Sequence, residues 1–439
     1  METSISLEPK PADAGGRKKV LIASIVFMGL GHILYLKQYL KGFFLATVEA
    51  VFIAFLPRIT KALINLQTLG EPKPHLPIRL RDNSIFMLID GVVVVAAVAV
   101  FIATYIISVR DAVTEYDQSR GRTVGIRESI NKAFPVLGLA PSIGLIIFFV
   151  VVPLVFSACV AFTNYSSPAH IPPNNTVDWV GFDNFRALFG GSKIWTQALG
   201  RVALWTLIWG ALATATCYFG GMLMAVILKE SKIRIAPIFR TIFILPYAIP
   251  SVISMLVWQN LLNATFGTIN RTLRALGIIS VSIPWLGDPT MAKFTAVMIN
   301  LWAGFPYFML LISGSMSAIP QDIYEAAEID GAGKFQVFSK IVFPIVLYQT
   351  APLIIMSFTH NVNNFGAIFF LTGGGPVVPD TTVTSAGGTD ILVTWIYNLT
   401  VNLNQYHYAS VLAVMIFMVL APIAIFNLQR TKSFREGEL

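Results

Sequence analysis

The chain has 439 residues, with 31 Lys and Arg against 23 Asp and Glu, and a formal net charge of +8. Charged residues make up 12% of the chain and apolar residues 55%, and the mean hydropathy is +0.69. Soluble proteins usually contain about 25% charged residues. These values exclude a disordered chain and argue against a soluble globular enzyme. They indicate a membrane protein that crosses the bilayer several times.

The N-terminal 19 residues are polar and end in Arg17-Lys18-Lys19, with no cleavage site in the apolar stretch that follows. This pattern predicts a retained N-terminus on the cytoplasmic side. The two cysteines, Cys159 and Cys217, lie inside apolar runs, so we expect neither a disulfide nor a metal site built on cysteine. No basic stretch is interleaved with aromatic residues, so nucleic acid is not an expected partner.

Apolar stretches of about 20 residues predict membrane-spanning helices. Residues 20–57 are harder to interpret, because Lys37 and Lys41 interrupt them: they form either one span preceded by an interfacial helix or a short hairpin. The sequence predicts an all-α polytopic membrane protein with about eight transmembrane helices. The other predicted spans are 84–108, 135–163, 197–228, 238–262, 291–317, 350–372 and 407–428.

Basic loops orient the spans, because cytoplasmic loops carry excess Lys and Arg. Residues 229–234 and the segment after residue 429 are basic, which predicts a cytoplasmic C-terminus. The loop 58–83 conflicts with this scheme, since it is basic but is expected outside. Alternation of the spans places three further loops outside: 164–194, 263–290 and 373–406.

The spans also restrict the energy source. Between residues 135 and 428 their apolar cores contain no Asp or Glu, whereas ion-coupled transporters usually carry such a residue in the membrane. The chain contains no G-x-x-x-x-G-K-[ST] sequence. An ion-coupled secondary transporter is therefore the less favoured alternative, and any ATP must be bound by another subunit.

One loop between predicted spans, residues 318–344, contains residues that typically begin and end helices. Pro320 and Asp322 predict a helix start, Gly331 predicts its end, and a second helix is expected from Lys334 to Pro344. Adjacent alanines and acidic residues make the first helix a suitable insert for a partner's groove. A solvated connecting helix explains the same composition.

The spacing within this loop resembles the EAA loop of binding-protein-dependent ABC importer permeases. Glu-Ala-Ala is followed after three residues by Gly331, then after nine by Ile341, and then by Phe343-Pro344, where the family usually has Leu in place of Phe343. The resemblance implies a type I permease core of six helices and a coupling helix that docks into a cytoplasmic ATPase. It assigns this coupling to Glu325, Ala326, Ala327 and Gly331.

The resemblance extends over residues 135–435 and is close to the MalF-type permeases of maltose and maltodextrin importers. It divides the chain into this permease core and residues 1–134, which hold about two transmembrane helices and a cytoplasmic linker and have no assigned function. Only about 30 residues separate Ser166 from the next span, so a large external insertion of the Gram-negative family members is missing. The motifs that carry the resemblance are Ala161–Ser167, Ile244–Ser251, Asn363–Phe365, Leu371–Pro376 and Thr389–Val393.

By resemblance, the sugar is held by six residues in this subunit. Neutral hydrogen-bonding groups and aromatic faces suit an uncharged, polyhydroxylated solute, and helical spacing places them on shared faces. The structural alternative is that polar residues join transmembrane helices. The expected substrate-binding residues are Tyr247, Asn300, Gly304, Tyr307, Ser357 and Asn361.

Neighbouring residues receive other expectations. His360 adjoins the site but is expected to point elsewhere on its helix, in a packing or gating role. Trp302 and Phe305 are expected in helix–helix contacts, and Tyr247 lies between two prolines that could distort its helix. Ala303 replaces a bulkier residue of the maltose family, which leaves the preferred sugar length open.

The resemblance implies that the chain is a non-enzymatic transport subunit in a bacterial cell membrane, with no cofactor of its own. The expected partners are a second homologous, MalG-like permease, two copies of a MalK-like ATPase that binds ATP and Mg²⁺, an extracellular sugar-binding protein, the oligosaccharide and membrane lipid. The expected function is ATP-driven import of maltose or maltodextrin-type oligosaccharides. Importers of another uncharged sugar, raffinose-like or multiple-sugar, are the alternative.

Overall fold

The computed structural model describes residues 14–119, 138–230 and 236–430. These residues form helices and loops and contain no β-strand, as the sequence predicts. The helices are α1 (Ala14–Val26), α2 (Leu30–Leu34), α3 (Tyr39–Ala54), α4 (Leu56–Thr68), α5 (Ser84–Ser119), α6 (Gly138–Val160), α7 (Asp183–Arg186), α8 (Lys193–Glu230), α9 (Ala236–Ala248), α10 (Ser251–Leu261), α11 (Thr268–Ala275), α12 (Pro289–Ser317), α13 (Gln321–Ile329), α14 (Lys334–Val362), α15 (Phe365–Thr372), α16 (Thr381–Thr384), α17 (Leu392–Val401) and α18 (Tyr406–Arg430).

Six of these helices are long and apolar enough to cross a membrane: α5, α6, α8, α12, α14 and α18. Two further pairs meet the same criterion but are bent, by 54° between α3 and α4 and by 91° between α9 and α10. Counting each bent pair as one span gives the eight crossings expected from the sequence, among the residues that the structure describes.

Two of the predicted spans have different limits in the structure. The span expected at 238–262 breaks after Ala248, because Pro250 cannot continue the helix and instead caps the start of α10. The span expected at 350–372 starts at Lys334 and ends at Val362. The following turn allows the Asn364 side chain to cap the separate helix α15.

The chain divides into two compact units. Unit 1 contains residues 1–159 and 168–179, and unit 2 contains residues 160–167 and 180–439. The domain boundary expected at residues 134 and 135 lies outside the described residues.

In unit 1, α3 and α4 run antiparallel to α5, as shown by contacts in reverse order along the two segments. Lys41 contacts Glu115 at 3.4 Å, and the rings of Phe52 and Phe101 stack with centroids 3.8 Å apart.

Helices α1 and α2 precede α3 and also pack in unit 1, where Tyr105 of α5 donates a hydrogen bond to the main-chain oxygen of Ile25. For residues 20–57 the structure has a short helical hairpin of α1 and α2, followed by α3, which together with α4 is long and apolar enough for one span.

At the opposite end of unit 1, residues 58–68 of the basic segment 58–83 belong to α4, and the loop is residues 69–83. Ser84 accepts a hydrogen bond from the main-chain N–H of Val177 at 3.0 Å, and Leu66 accepts one from the Trp179 indole at 3.0 Å. The loop therefore lies at the same end of unit 1 as residues 168–179, which were expected outside. One of its cations is paired locally, since Lys73 contacts Asp82 at 2.8 Å.

Unit 2 is built around α8, which packs along α12 and α14, while α10 packs against α15 and α17 against α18. Its apolar core contains the fully buried rings of Trp209, Phe308 and Trp395. This packing fixes α12 and α14 on either side of the cavity described next.

Candidate functional site

Unit 2 encloses a cavity of about 640 Å³ between α10, α12, α14, α15 and the break that follows α9. This volume falls in the range of about 300–1,000 Å³ that small-molecule sites occupy. All six residues that were expected to bind sugar line the cavity: Tyr247, Asn300, Gly304, Tyr307, Ser357 and Asn361. The structure thus brings together residues from three segments that are far apart in sequence.

The α12 wall carries Asn300, Gly304 and Tyr307. Asn300 is buried, and its amide lies 3.5 Å from the sulfur of Cys217 on α8, which in turn donates to the main-chain oxygen of Asn300 at 3.4 Å. A Cβ atom at Gly304 would lie 2.7 Å from the same sulfur. Gly304 therefore permits close packing of α8 and α12 as well as close approach to the cavity.

The break after α9 brings an aromatic side chain opposite this wall. Tyr247 lies in the last turn of α9, and its ring centroid is 6.2 Å from that of Tyr307, with 33° between the ring planes. The alternative of a proline-distorted helix is correct for the backbone, and the same residue lines the cavity. Two tyrosine faces close together suit an apolar face of a sugar ring.

The α14 wall carries Ser357 and Asn361, one helical turn apart. Asn361 is 5% exposed, and its amide donates to the hydroxyl of Thr214 on α8 at 3.0 Å. The indole of Trp209, also on α8, donates to the main-chain oxygen of Asn361 at 3.0 Å. These bonds hold the end of α14 to α8 and fix the orientation of the Asn361 side chain.

The expectation that His360 points elsewhere is wrong, because His360 also lines the cavity. Its position three residues after Ser357 was the available signal, since i and i+3 share a helix face. Sequence reasoning also missed Asn364 and Ser254, which line the cavity too. The Ser254 hydroxyl is buried and makes no hydrogen bond to any described residue.

The remaining neighbours lie where they were expected. Trp302 and Phe305 are outside the cavity lining and contact the rings of Trp258 and Phe243, respectively. Ala303 lines the cavity, so the missing bulk at this position enlarges it. Among the described residues that line the cavity there is no Asp, Glu, Lys or Arg, so the wall offers neutral hydrogen bonds and aromatic faces.

The loop predicted at 318–344 forms the expected short helix, α13, followed by a glycine turn and α14. Of its four expected coupling residues, Glu325, Ala326 and Gly331 are exposed, whereas Ala327 is 7% exposed and faces its own chain. Gly331 has a φ of +75°, a conformation that favours glycine, and nothing lies within 4 Å of a Cβ built there. Ile329 is 86% exposed, so this end of α13 presents apolar surface.

Helix α13 is held to the end of α8 by Lys229. The ammonium group donates to the hydroxyl of Tyr324 at 2.8 Å and to the main-chain oxygen of Met316 at 3.2 Å. The same group lies 4.3 Å from the centroid of the Tyr324 ring. Because α8 and α12 also form the cavity wall, α13 is mechanically connected to the cavity through this contact.

The loop between α15 and α17 is built around one buried carboxylate. Asp390 accepts hydrogen bonds from the main-chain N–H of Gly387 at 2.7 Å and from the hydroxyl of Thr394 at 2.6 Å. Burial raises the pKa of Asp390 above its ordinary value, although these hydrogen bonds oppose the effect. Nearby, Arg201 of α8 pairs with Asp380 at 2.7 Å, so this loop has a defined shape.

A family model and individual relatives identify the same kind of protein. The family described as "Binding-protein-dependent transport system inner membrane component" matches residues 217–432, which include α12, α13 and α14. The galactooligosaccharide transport system permease protein GanP of Bacillus subtilis is 36% identical over 428 residues, covering 96% of this chain and 99% of that protein.

Two other relatives carry maltose or maltodextrin names. The maltodextrin transport system permease protein MalC of Streptococcus pneumoniae is 36% identical over 433 residues, covering 95% of this chain and 96% of that protein. The maltose/maltodextrin permease MalF of Klebsiella aerogenes is 38% identical over 265 residues, which is 60% of this chain but 51% of that protein.

One solved structure with a similar fold is a bacterial ABC transporter involved in the import of the acidic polysaccharide alginate. Its matching chain is 21% identical in sequence, with a TM-score of 0.56. The match covers 69% of the present chain and 97% of the transporter chain. This likeness supports the ABC importer permease fold. The relatives are permease proteins of transport systems, so the chain is a multi-pass membrane transport subunit and not an enzyme. The resemblance inferred from the EAA loop is confirmed, and the chain belongs to the binding-protein-dependent transport system inner membrane component family.

Proposed function

We propose that this chain is the permease subunit through which an ATP-driven importer moves maltose or maltodextrin-type oligosaccharides. The single observation that carries the proposal is the cavity of unit 2, whose lining combines neutral hydrogen-bonding side chains with two tyrosine rings and no charged residue. An anionic solute would require Arg or Lys at such a site. The names of the relatives MalC and MalF support maltodextrin-type sugars.

A second candidate is a galactooligosaccharide, because GanP matches 96% of this chain at the same identity as MalC. Both solutes are uncharged and rich in hydroxyl groups, so the same lining suits either. Raffinose-like sugars belong to the same chemical class.

Energy for transport is proposed to come from a separate ATPase. One exposed face of α13 and the turn after it could bind in a groove on that ATPase. This face contains Glu325, Ala326 and Gly331, beside the apolar side chain of Ile329. Ala327, which faces its own chain, would position this surface. ATP and Mg²⁺ would be bound by the ATPase and no cofactor by this chain.

The proposed assembly pairs this chain with a second homologous, MalG-like permease on two copies of a MalK-like ATPase. An extracellular binding protein delivers the sugar, and both termini of this chain are cytoplasmic. In unit 1 the loop 69–83 and residues 168–179 lie at one end, which agrees with an external position for both.

Transport is proposed to follow alternating access. Closure of the ATPases displaces α13, and Lys229 transmits this displacement to α8, which forms part of the cavity wall. Sugar binding at the cavity is expected to be weak, because a tight site would oppose release. A ligand shifts the equilibrium between two conformations only by the difference in its affinity for them.

The test is uptake by the complete importer reconstituted in proteoliposomes, with ATP on the ATPase side. Maltotriose, maltotetraose, a galactobiose and raffinose are supplied with the binding protein, and uronic-acid oligosaccharides serve as the charged control. We expect ATP-dependent uptake of a neutral oligosaccharide, and the preferred sugar identifies the candidate. Uptake driven by an ion gradient without nucleotide would instead support a secondary transporter and refute the proposal.

A further inference from the structure

Unpaired polar atoms in the interior of the chain are concentrated in unit 1. Seven buried side-chain polar atoms make no hydrogen bond to the described residues, and six of them belong to unit 1. Native proteins rarely leave such atoms unpaired, and a bound ion or water is a common explanation. The six atoms are Ser24 Oγ, His32 Nδ1, Gln38 Nε2, Gln38 Oε1, Ser108 Oγ and Glu115 Oε2.

Three of the side chains in this region could bind a metal ion together. His32 of α2 and Asp111 and Glu115 of α5 each offer one ligand atom, and these atoms lie within 4.8 Å of one another. His32 Nε2 lies 3.0 Å from Asp111 Oδ2. In a tetrahedral Zn²⁺ site each ligand atom lies about 2.0 Å from the metal, and the ligand atoms lie about 3.3 Å from one another. Side-chain rotations that move the ligand atoms by about an ångström would therefore complete the geometry.

Burial and charge favour a divalent cation over the lysine now beside these carboxylates. Lys41 of α3 contacts both Asp111 and Glu115, so the two carboxylates and the ammonium group sum to a formal charge of −1. His32 is fully buried and Glu115 is 8% exposed, whereas the Asp111 side chain is 36% exposed. An uncompensated charge in a partly buried site is costly, and a divalent cation in place of the ammonium group would bring the sum to zero.

Gln38 is a second buried polar residue bonded to the main chain of His32. Its main-chain N–H donates to the main-chain oxygen of His32 at 2.9 Å. Gln38 is 5% exposed, and neither polar atom of its side chain has a partner among the described residues. A metal-bound histidine usually donates its second N–H to an acceptor, and His32 Nδ1 is likewise buried without a partner among those residues.

We propose that His32, Asp111 and Glu115 form a binding site for a divalent transition-metal ion, for which Lys41 competes. The mixed set of one imidazole and two carboxylates suits Zn²⁺, Mn²⁺ or Fe²⁺ better than Ca²⁺ or Mg²⁺, which prefer oxygen ligands alone. A bound ion would fix the hairpin of α1 and α2 to α5 in unit 1. The site is independent of the sugar cavity and of the proposed function.

The experiment uses the full-length chain within the assembled importer, purified through a tag without histidine. Zn²⁺ binding is measured by competition with a chromophoric chelator, and Co²⁺ is added as a spectroscopic probe of coordination. We expect one ion per copy of the chain and d–d absorption typical of imidazole and carboxylate ligands. His32→Ala, Asp111→Asn and Glu115→Gln should each weaken binding at least about tenfold.

Two further variants separate the site from general effects on folding. Lys41→Met removes the competing charge but keeps all three ligands, so it should tighten Zn²⁺ binding by about tenfold or more. Asp117→Asn changes another carboxylate of α5, which pairs with Arg17, and should leave binding unchanged. The proposal is overturned if neither the wild type nor Lys41→Met binds Zn²⁺ stoichiometrically, or if binding survives all three ligand substitutions.

Discussion

Asn361, which lines the cavity, donates its side-chain amide to Thr214, which does not, at 3.0 Å. The bond joins α14 to α8 and uses one of the two N–H groups of Asn361 Nδ2, so that the second N–H and Oδ1 stay available to a ligand. A residue of the proposed sugar site is thus positioned by a threonine that makes no contact with the sugar.

Thr214→Val should therefore weaken transport without changing the cavity wall. Valine has nearly the same shape as threonine but cannot accept the hydrogen bond, and a neutral hydrogen bond is worth about 0.5–1.5 kcal/mol. We expect the sugar concentration for half-maximal uptake to rise about 2- to 10-fold, with little change in the maximal rate. The measurement is ATP-dependent uptake in proteoliposomes as a function of delivered sugar.

Thr216→Val is the matched control for this prediction. Thr216 lies on the same helix, and its hydroxyl donates to main-chain oxygens of α8, those of Leu212 at 2.7 Å and Ala213 at 3.4 Å. Equal effects of the two substitutions on half-maximal uptake would contradict a positioning role for Thr214.

The contact between Gly304 and Cys217 predicts a pair of compensating substitutions. Gly304→Ala places a methyl group 2.7 Å from the cysteine sulfur, which forces α8 and α12 apart, and overpacking of this kind costs about 1–3 kcal/mol. We expect a lower melting temperature of the complex. The measurement is the loss of the intact complex on size-exclusion chromatography after heating.

Cys217→Ala in the Gly304→Ala background should restore the melting temperature, because it removes the atom with which the new methyl group collides. The nearest remaining atom is the Cβ of residue 217, at an ordinary 3.6 Å. If the double variant is no more stable than Gly304→Ala alone, the collision with Cys217 is not the reason for the glycine. Gly304 would then be required for another reason, such as the approach of a sugar ring to the backbone.

The sequence was sufficient to predict the class of fold, the short helix α13 and six of the residues that line the cavity, because each depends on local spacing or on a family motif. Asn300, Gly304 and Tyr307 follow a helical repeat, so their common face could be predicted. The limits of the spans could not, since a run of apolar residues through Pro250 or Asn363 does not show where the backbone turns. Pairing across helices, such as that of Asn361 with Thr214, depends on tertiary packing that no local pattern contains.

Gly374 and Gly373 provide a matched test of the loop between α15 and α17. Both have a positive φ, +82° and +61°, so alanine at either position carries the cost of a left-handed conformation, about 1–2 kcal/mol. Only Gly374 also lacks space, because its Cβ would lie 2.1 Å from Asp390 Oδ1, whereas nothing lies within 4 Å at Gly373. Gly374→Ala should therefore displace the buried carboxylate.

We expect Gly374→Ala to lower the melting temperature clearly more than Gly373→Ala and to increase protease cleavage in the loop. The measurement is limited proteolysis of the purified complex, followed by mass spectrometry of the fragments. If the two variants are cleaved at the same rate, Asp390 does not hold this loop in the way that its hydrogen bonds suggest.

Gly331 distinguishes a requirement of the backbone from a requirement of the proposed docking surface. Its φ of +75° disfavours Ala, but Asn adopts this conformation readily, and the space around a Cβ is open within the chain. If the glycine serves only the turn, Gly331→Asn keeps the turn and retains uptake. Because we propose that an ATPase groove lies against this surface, we expect Gly331→Asn to lower sugar uptake at least tenfold while ATP hydrolysis continues. Gly333→Ala, at a φ of −68° and without close contacts, should leave both activities unchanged, and normal coupling in Gly331→Asn would remove the support for docking at this residue.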